Sequence, residues 1–203
     1  MSIGPPATSA AARGVRAASA LPKPAGRPIG RRTLLGAVAA AVLLGTGKRA
    51  VAGSLGERRV ALANPHTGES FRDVYWCDGV YVDESLHRIN WLMRDFHKDE
   101  VVPIDRNLVD LLHRIARRLA TRQPLQILSG YRTRATNRLL RVEGFSPAVH
   151  SLHLEAMAAD IHVEHVGLAH LRRAAVSLRA GGVGTYPSEH FIHVDVGPVR
   201  TWW

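Results

Sequence analysis

Past residue 52 the chain opens with short apolar runs separated by turn residues, and apolar positions at helical spacing follow. Residues 59–62 run into Asn64-Pro65-His66-Thr67-Gly68, a cluster of turn formers, and residues 71–75 and 80–82 flank a second turn at Asp78-Gly79. This order of strand formers and turn residues predicts a β-meander. Leu86, Ile89, Leu92, Met93 and Phe96 then recur at helical spacing, with Arg88, Arg94 and Asp95 on the polar side, which predicts a helix capped by Asp83. Pro103 interrupts the chain. Asp105 is placed to cap a second helix with Leu108, Leu111, Leu112, Ile115 and Leu119 on one stripe and Arg114, Arg117 and Arg118 in solvent.

Residues 125–128, apolar after Pro124 and ending at Ser129-Gly130, read as a strand that delivers Tyr131 and Arg132 to a loop. Residues 133–140 predict a short helix and 144–150 a loop, while 151–157 lack periodicity. Residues 158–163 alternate as a strand, with Asp160 and His162 on one face and Ala159, Ile161 and Val163 on the other. Leu168, Leu171, Ala175 and Leu178 predict a helix that stops at Gly181-Gly182. In a final strand over 191–196, His193 and Asp195 share a face opposite Ile192 and Val194. The predicted class is α+β: helices packed on a small antiparallel sheet, with a polar site on one sheet face.

The formal net charge of +10 suggests a nucleic-acid partner until its location is considered. Of 27 Lys and Arg, eight lie in residues 1–52, which contain no Asp or Glu, so residues 53–203 carry 19 basic against 17 acidic residues. The basicity belongs to a leader. Arg31-Arg32-Thr33-Leu34-Leu35 has the form of a twin-arginine start, residues 34–46 are rich in Ala, Leu and Val, and Ala50-Val51-Ala52 offers an A-x-A cleavage site. Residues 1–52 are therefore expected to be a twin-arginine signal peptide cleaved after Ala52, the alternative being a basic N-terminal arm. Residues 53–203 suit one domain. The apolar run is too short to span a bilayer, which wants about 20 apolar residues. Neither a nucleic-acid partner nor stable membrane insertion is expected. Cys77 is the only cysteine, with no partner for an internal disulfide, and reads as a buried small apolar residue.

The candidate chemistry lies near the C-terminus. Seven of eleven histidines fall between His150 and His193. His153, Asp160 and His193 have the residue types of a catalytic zinc site, in which three imidazole or carboxylate ligands leave a position for water whose pKa the ion lowers. A histidine with an aspartate seven residues on is weak evidence alone; the second strand, bringing His193 and Asp195, strengthens it. The ligands would come from a loop and two strands rather than an H-E-x-x-H helix, so spacing alone leaves their convergence open.

The run Ser151-Leu152-His153-Leu154-Glu155-Ala156-Met157-Ala158-Ala159-Asp160 resembles the S-x-H-x-x-G-x-A-x-D motif of the lysostaphin, D-Ala-D-Ala carboxypeptidase and hedgehog superfamily of zinc peptidases. Within it the chain is similar to the murein endopeptidase K family through Asn64-Pro65-His66-Thr67-Gly68-Glu69, Ser129-Gly130-Tyr131-Arg132-Thr133, Asn137, Asp160-Ile161-His162-Val163-Glu164, residues 179–187, residues 191–198 and Trp202. The resemblance implies a periplasmic zinc endopeptidase that cuts peptide cross-links of peptidoglycan, including those joining two diaminopimelate residues, with the peptide stems as its partners. It implies His153, Asp160 and His193 as ligands of one Zn²⁺ and Arg132 as a binder of substrate carboxylates.

The glutamate that several relatives place three residues before the last histidine ligand is His190 here. His190 and Asp195 are both candidates for the general base, and Asp195 is equally placed to orient His193 or His162. His162 is expected to border the ion, and residues 181–184 with Tyr186 to line the substrate. Ala156 stands where the motif has glycine, a change tolerated only if the backbone there avoids positive φ. Two other readings remain: a wall-binding module with an inactive zinc site, and a carboxypeptidase that releases D-Ala.

Overall fold

A computed structural model describes residues 56–203 except Ser146. The elements run β1 (Glu57–Ala63), β2 (Ser70–Cys77), β3 (Val80–Tyr81), α1 (Asp83–Leu92), α2 (Arg106–Leu119), β4 (Leu125–Ser129), α3 (Arg134–Val142), a 3₁₀ turn (Leu152–Glu155), β5 (Ala158–His162), α4 (Leu168–Ser177), β6 (Gly182–Tyr186), β7 (Phe191–Asp195) and β8 (Arg200–Trp202). The signal peptide expected over 1–52, its cleavage site included, lies outside the described residues. No described helix is long and apolar enough to cross a membrane.

The α+β class holds, but the sheet is neither small nor purely antiparallel. Eight strands lie in the order β3-β2-β1-β4-β5-β7-β6-β8, and two pairs, β1 with β4 and β6 with β8, are parallel. The first parallel pair arises because α1 and α2 intervene between β1 and β4, returning the chain to the same end of the sheet. The second arises because β8 folds back along the outer edge of β6. The predicted meander is present as the β1–β2 and β2–β3 antiparallel pairs, and Asn64 Oδ1 closes the first turn by accepting from the His66 N–H at 2.9 Å.

The second helix forms as its pattern dictates. The Asp105 carboxylate accepts from the Asn107 N–H at 2.7 Å, and Leu108, Leu112 and Ile115 are fully buried. Each such side chain contributes roughly 1.5–3 kcal/mol. With α4, this helix packs against the sheet through β1, β6 and β7, so the inward residues Leu62, Ile161, Ile192 and Val194 lie in one continuous core. Alternation along β5 and β7 then turns Asp160 and His193 to the opposite face.

The first helix departs from its prediction. Its cap position is Val82, which offers no side-chain bond, and Asp83 is the first helical residue, with Glu84 beside it where acidic groups favour the helix N-terminus. The helix also stops at Leu92, so Phe96 lies beyond it, stacked on His66 with ring centres 4.8 Å apart. Arg94 and Asp95, placed by the pattern on the polar side of that helix, are buried because each has a specific partner. Arg94 Nη1 donates to Glu69 at 2.7 Å, and the Asp95 carboxylate accepts from the Thr133 N–H at 2.8 Å. Arg114, Arg117 and Arg118 are exposed as expected. Cys77 is half-buried rather than buried, because it ends β2 beside the two-residue strand β3.

Candidate metal centre

One row of residues crosses five strands on the open sheet face. Ser129 on β4 is the register partner of Asp160 on β5, Asp160 of His193 on β7, His193 of Gly184 on β6, and Gly184 of Trp202 on β8. His153 reaches this row from the 3₁₀ turn, where the Ser151 hydroxyl accepts from the His153 N–H and the chain leaves through Ala156 at φ 55°. The requirement for positive φ is therefore present, contrary to the condition set for tolerating alanine there. The conformation is held from both sides: the Ala156 N–H donates to the His153 carbonyl at 3.3 Å, and the Ala156 carbonyl accepts from the Asp105 N–H at 3.1 Å.

His153, Asp160 and His193 come together and are buried, at 2%, 6% and 9% exposure. His153 Nε2 lies 3.2 Å from Asp160 Oδ1 and 3.1 Å from His193 Nδ1, and His193 Nδ1 lies 3.0 Å from Asp160 Oδ1. Each donor is held from behind. His153 Nδ1 sits 2.6 Å from the Gly130 carbonyl, which only accepts, so Nδ1 carries the proton and Nε2 presents a lone pair to the cluster. His193 Nε2 sits 3.1 Å from Asp195 Oδ2, which likewise turns Nδ1 inward. Asp160 Oδ2 accepts from Arg132 Nη2, leaving Oδ1 for the cluster.

With lone pairs turned inward, two imidazole nitrogens and a carboxylate oxygen at this range form a donor set that a cation between them would satisfy. A tetrahedral zinc ion with bonds of about 2.0–2.1 Å sets its ligand atoms about 3.3 Å apart, close to the spacing found here. The donor set fits such an ion.

Burial and charge act differently on the three groups. Burial pushes the His153 imidazole below its ordinary pKa against the pull of the Asp160 charge. Burial also acts on Asp160, but the neighbouring His153, His193 and Arg132 outweigh it and hold the carboxyl well below the usual range. For His193, burial is outweighed by Asp160 and Asp195, and the ring is raised.

The other predicted residues separate into those near the cluster and those turned to different work. Asp195 is fully buried behind His193, and its oxygens accept from the Gly182 and Gly197 N–H groups at 3.0 and 2.9 Å and from Arg200. Burial tends to raise its pKa, but these donors together with His193 hold it below the ordinary carboxylate range. Asp195 lies across the ring from Nδ1 with both oxygens hydrogen-bonded, the arrangement expected of the group that orients His193.

Arg132 is likewise turned inward, with Nε on the Ser129 hydroxyl at 2.6 Å and Nη2 on Asp160, so Nη1 is the one guanidinium nitrogen without a hydrogen bond among the described residues. His162 is half-buried, with Nδ1 2.9 Å from the His190 carbonyl, and His190 is exposed at φ 57°. The expected substrate loop at residues 181–184 is instead mostly strand β6. Tyr186 ends that strand, stacked on Phe191 with its hydroxyl accepting from Trp202 Nε1 at 3.2 Å.

Three contributors escaped the sequence reading, and a fourth, Trp202, entered it only through the family resemblance. Asp95 and Met93 fix the loop that carries Gly130 and Arg132, through the Thr133 N–H and through the Tyr131 N–H to the Met93 carbonyl at 2.8 Å. A Cβ on Gly130 would run into the Met93 backbone, which is why glycine stands there. Arg200 and Trp202 come from the last strand. Ser-Gly before Tyr131 hinted at a close approach; nothing local marks Asp95 or Arg200.

Two buried imidazoles and one carboxylate on one sheet face thus form a group that could hold a metal ion. Residues 52–202 match the family model described as peptidoglycan L,D-endopeptidase MepK, and the chain belongs to that family. It is 39% identical over 175 residues to the peptidoglycan L,D-endopeptidase MepK of Escherichia coli K12, covering 85% of this chain and 96% of that protein. It is 35% identical over 146 residues to a probable peptidoglycan L,D-endopeptidase MepK of Haemophilus influenzae, covering 71% and 78%. No solved structure matches it.

Proposed function

We propose that this protein is a zinc-dependent peptidoglycan endopeptidase that hydrolyses peptide cross-links outside the cytoplasm, those joining two diaminopimelate residues among them. The reading rests above all on the convergence of His153 Nε2, Asp160 Oδ1 and His193 Nδ1 at 3.0–3.2 Å, each with its far side already engaged. These three atoms would hold the ion, which supplies a Lewis acid for the amide carbonyl and lowers the pKa of water.

The remaining work falls to the chain's own groups. Arg132 keeps Asp160 oriented, and its Nη1 is left for a carboxylate of the peptide stem. With Asp195 engaged elsewhere, the proton acceptor is an imidazole of the His162–His190 pair. His162 shares the Asp160 face of β5, and a proton on its Nδ1 toward the His190 carbonyl leaves Nε2 able to accept. The protein is exported with the leader over 1–52 and works in the periplasm, where its substrate lies.

Purified protein incubated with purified sacculi separates this reading from its rivals by the muropeptides released. Loss of cross-linked dimers with a rise in monomers is the expected outcome. Release of D-Ala with dimers intact would identify a carboxypeptidase instead, and sedimentation with sacculi without cleavage a wall-binding module. His162→Gln and His190→Gln, assayed separately, identify the proton acceptor as the ring whose loss lowers kcat by about 10²–10⁴-fold with the metal still bound.

A further inference from the structure

The last strand, β8, carries two side chains that reach past β6 to β7. Arg200 is the register partner of Gly182, which faces Asp195, and Trp202 is the partner of Gly184, which faces His193. A Cβ on Gly182 would meet the Asp195 carboxylate and the Arg200 guanidinium, and one on Gly184 would meet the Trp202 indole. The two glycines read as part of a substrate loop are openings in β6, through which β8 touches the strand that carries His193.

What passes through the first opening is a two-pronged ion pair. Arg200 Nη2 donates to Asp195 Oδ2 at 2.8 Å and Nη1 to Oδ1 at 3.1 Å, with the carboxylate fully buried. Asp195 Oδ2 in turn accepts from His193 Nε2. Through the second opening, the Trp202 ring centre comes within 5.3 Å of the His193 ring, and the Arg200 guanidinium lies 5.0 Å over the same indole. The imidazole is therefore held at Nε2 by a carboxylate that Arg200 also binds, and flanked by a tilted indole that Arg200 also touches.

We propose that Arg200 is a positioning residue for the metal centre: acting through Asp195, it fixes the tautomer and ring angle of His193 so that Nδ1 faces His153 and Asp160. The inference rests on the reading of these three residues as metal ligands. An outer partner of a ligand imidazole is worth roughly 10–100-fold in metal affinity. Arg200, one bond further out, belongs at the lower end of that range. A planar fork matters here because it engages both carboxylate oxygens at once, which an ammonium cannot do.

The test is a zinc competition titration on wild type, Arg200→Met, Arg200→Lys, Asp195→Asn and the double variant Arg200→Met/Asp195→Asn, each checked for a cooperative thermal transition. Arg200→Met is expected to weaken zinc roughly tenfold, with Arg200→Lys in between, and the double variant to bind within about threefold of Asp195→Asn alone, because both changes remove one relay. Wild-type affinity in Arg200→Met, or losses that multiply in the double variant, would overturn the proposal.

A second readout needs no metal. In the metal-free protein above the imidazole titration, ¹⁵N shifts should show His193 protonated at Nε2 in wild type and a mixture of tautomers in Arg200→Met. An unchanged tautomer would also overturn the role of Arg200. Wild type that binds no zinc while its tautomer responds to Arg200 would instead count against the metal reading alone.

Discussion

At Ala156 two costs of similar size oppose each other. An L-residue in the left-handed region costs about 1–2 kcal/mol. Glycine would relieve that strain but adds about 0.5–1 kcal/mol of backbone entropy to the unfolded chain and gives up a buried methyl group worth about 0.8 kcal/mol. The methyl is in the core, at 3% exposure, so the terms nearly cancel. That is how alanine holds a place where the superfamily motif has glycine. Ala156→Gly is therefore expected to change stability by less than about 1 kcal/mol, whereas Ala156→Val, with a branched Cβ at φ 55°, should cost more than about 2 kcal/mol. Urea unfolding of the two variants measures both. A gain clearly above about 1 kcal/mol in Ala156→Gly would mean that the left-handed strain outweighs the buried methyl.

Between elements, Asp110 on α2 joins the helix to the first three strands. Its carboxylate accepts from Tyr75 at 2.7 Å, Tyr81 at 2.8 Å and Arg58 at 2.9 Å. Burial would raise its pKa, but these three donors outweigh it and leave the group depressed. A depressed carboxyl contributes stability in full above its unfolded value of about 3.9, and that contribution fades as pH falls through the folded value. Asp110→Asn should cost roughly 1.5–3 kcal/mol near neutrality, and the gap to wild type should narrow in urea melts at about pH 2.5. A gap that stays constant would show that the charge is not what the tyrosines and Arg58 recognise.

The same scale explains what could be read in advance. The second helix was legible because its cap, stripe and exposed arginines all lie within its own span. The end of the first helix was not, because Arg94 and Asp95 continue the helical phase and their burial depends on Glu69 and Thr133, which lie elsewhere in sequence. Strand β6 was hidden by its glycines, which look like helix terminators until β8 supplies Arg200 and Trp202 to fill the space beside them. The three clustered residues were legible through strand alternation and the motif. Of their outer partners, Asp195 was legible from its place on the His193 face of the same strand, whereas Arg200 was not: a register partner leaves no local trace.

Over the whole molecule, most of the net positive charge lies in residues 1–52, and the part that carries the fold and the site is close to neutral. The family match begins at that boundary, at residue 52, and runs to residue 202, so the cluster and the β8 residues behind it fall within a single matched domain. The helices of that domain bury one sheet face and leave the other to hold three donors for an ion. The most direct test is to measure cleavage of purified cross-linked muropeptide dimers before and after exhaustive chelation, then with zinc restored. Activity should vanish with the metal and return with about one equivalent per chain, and a folded His193→Ala variant should stay inactive at that level. A metal-free protein that still cleaves dimers at the original rate would contradict the account.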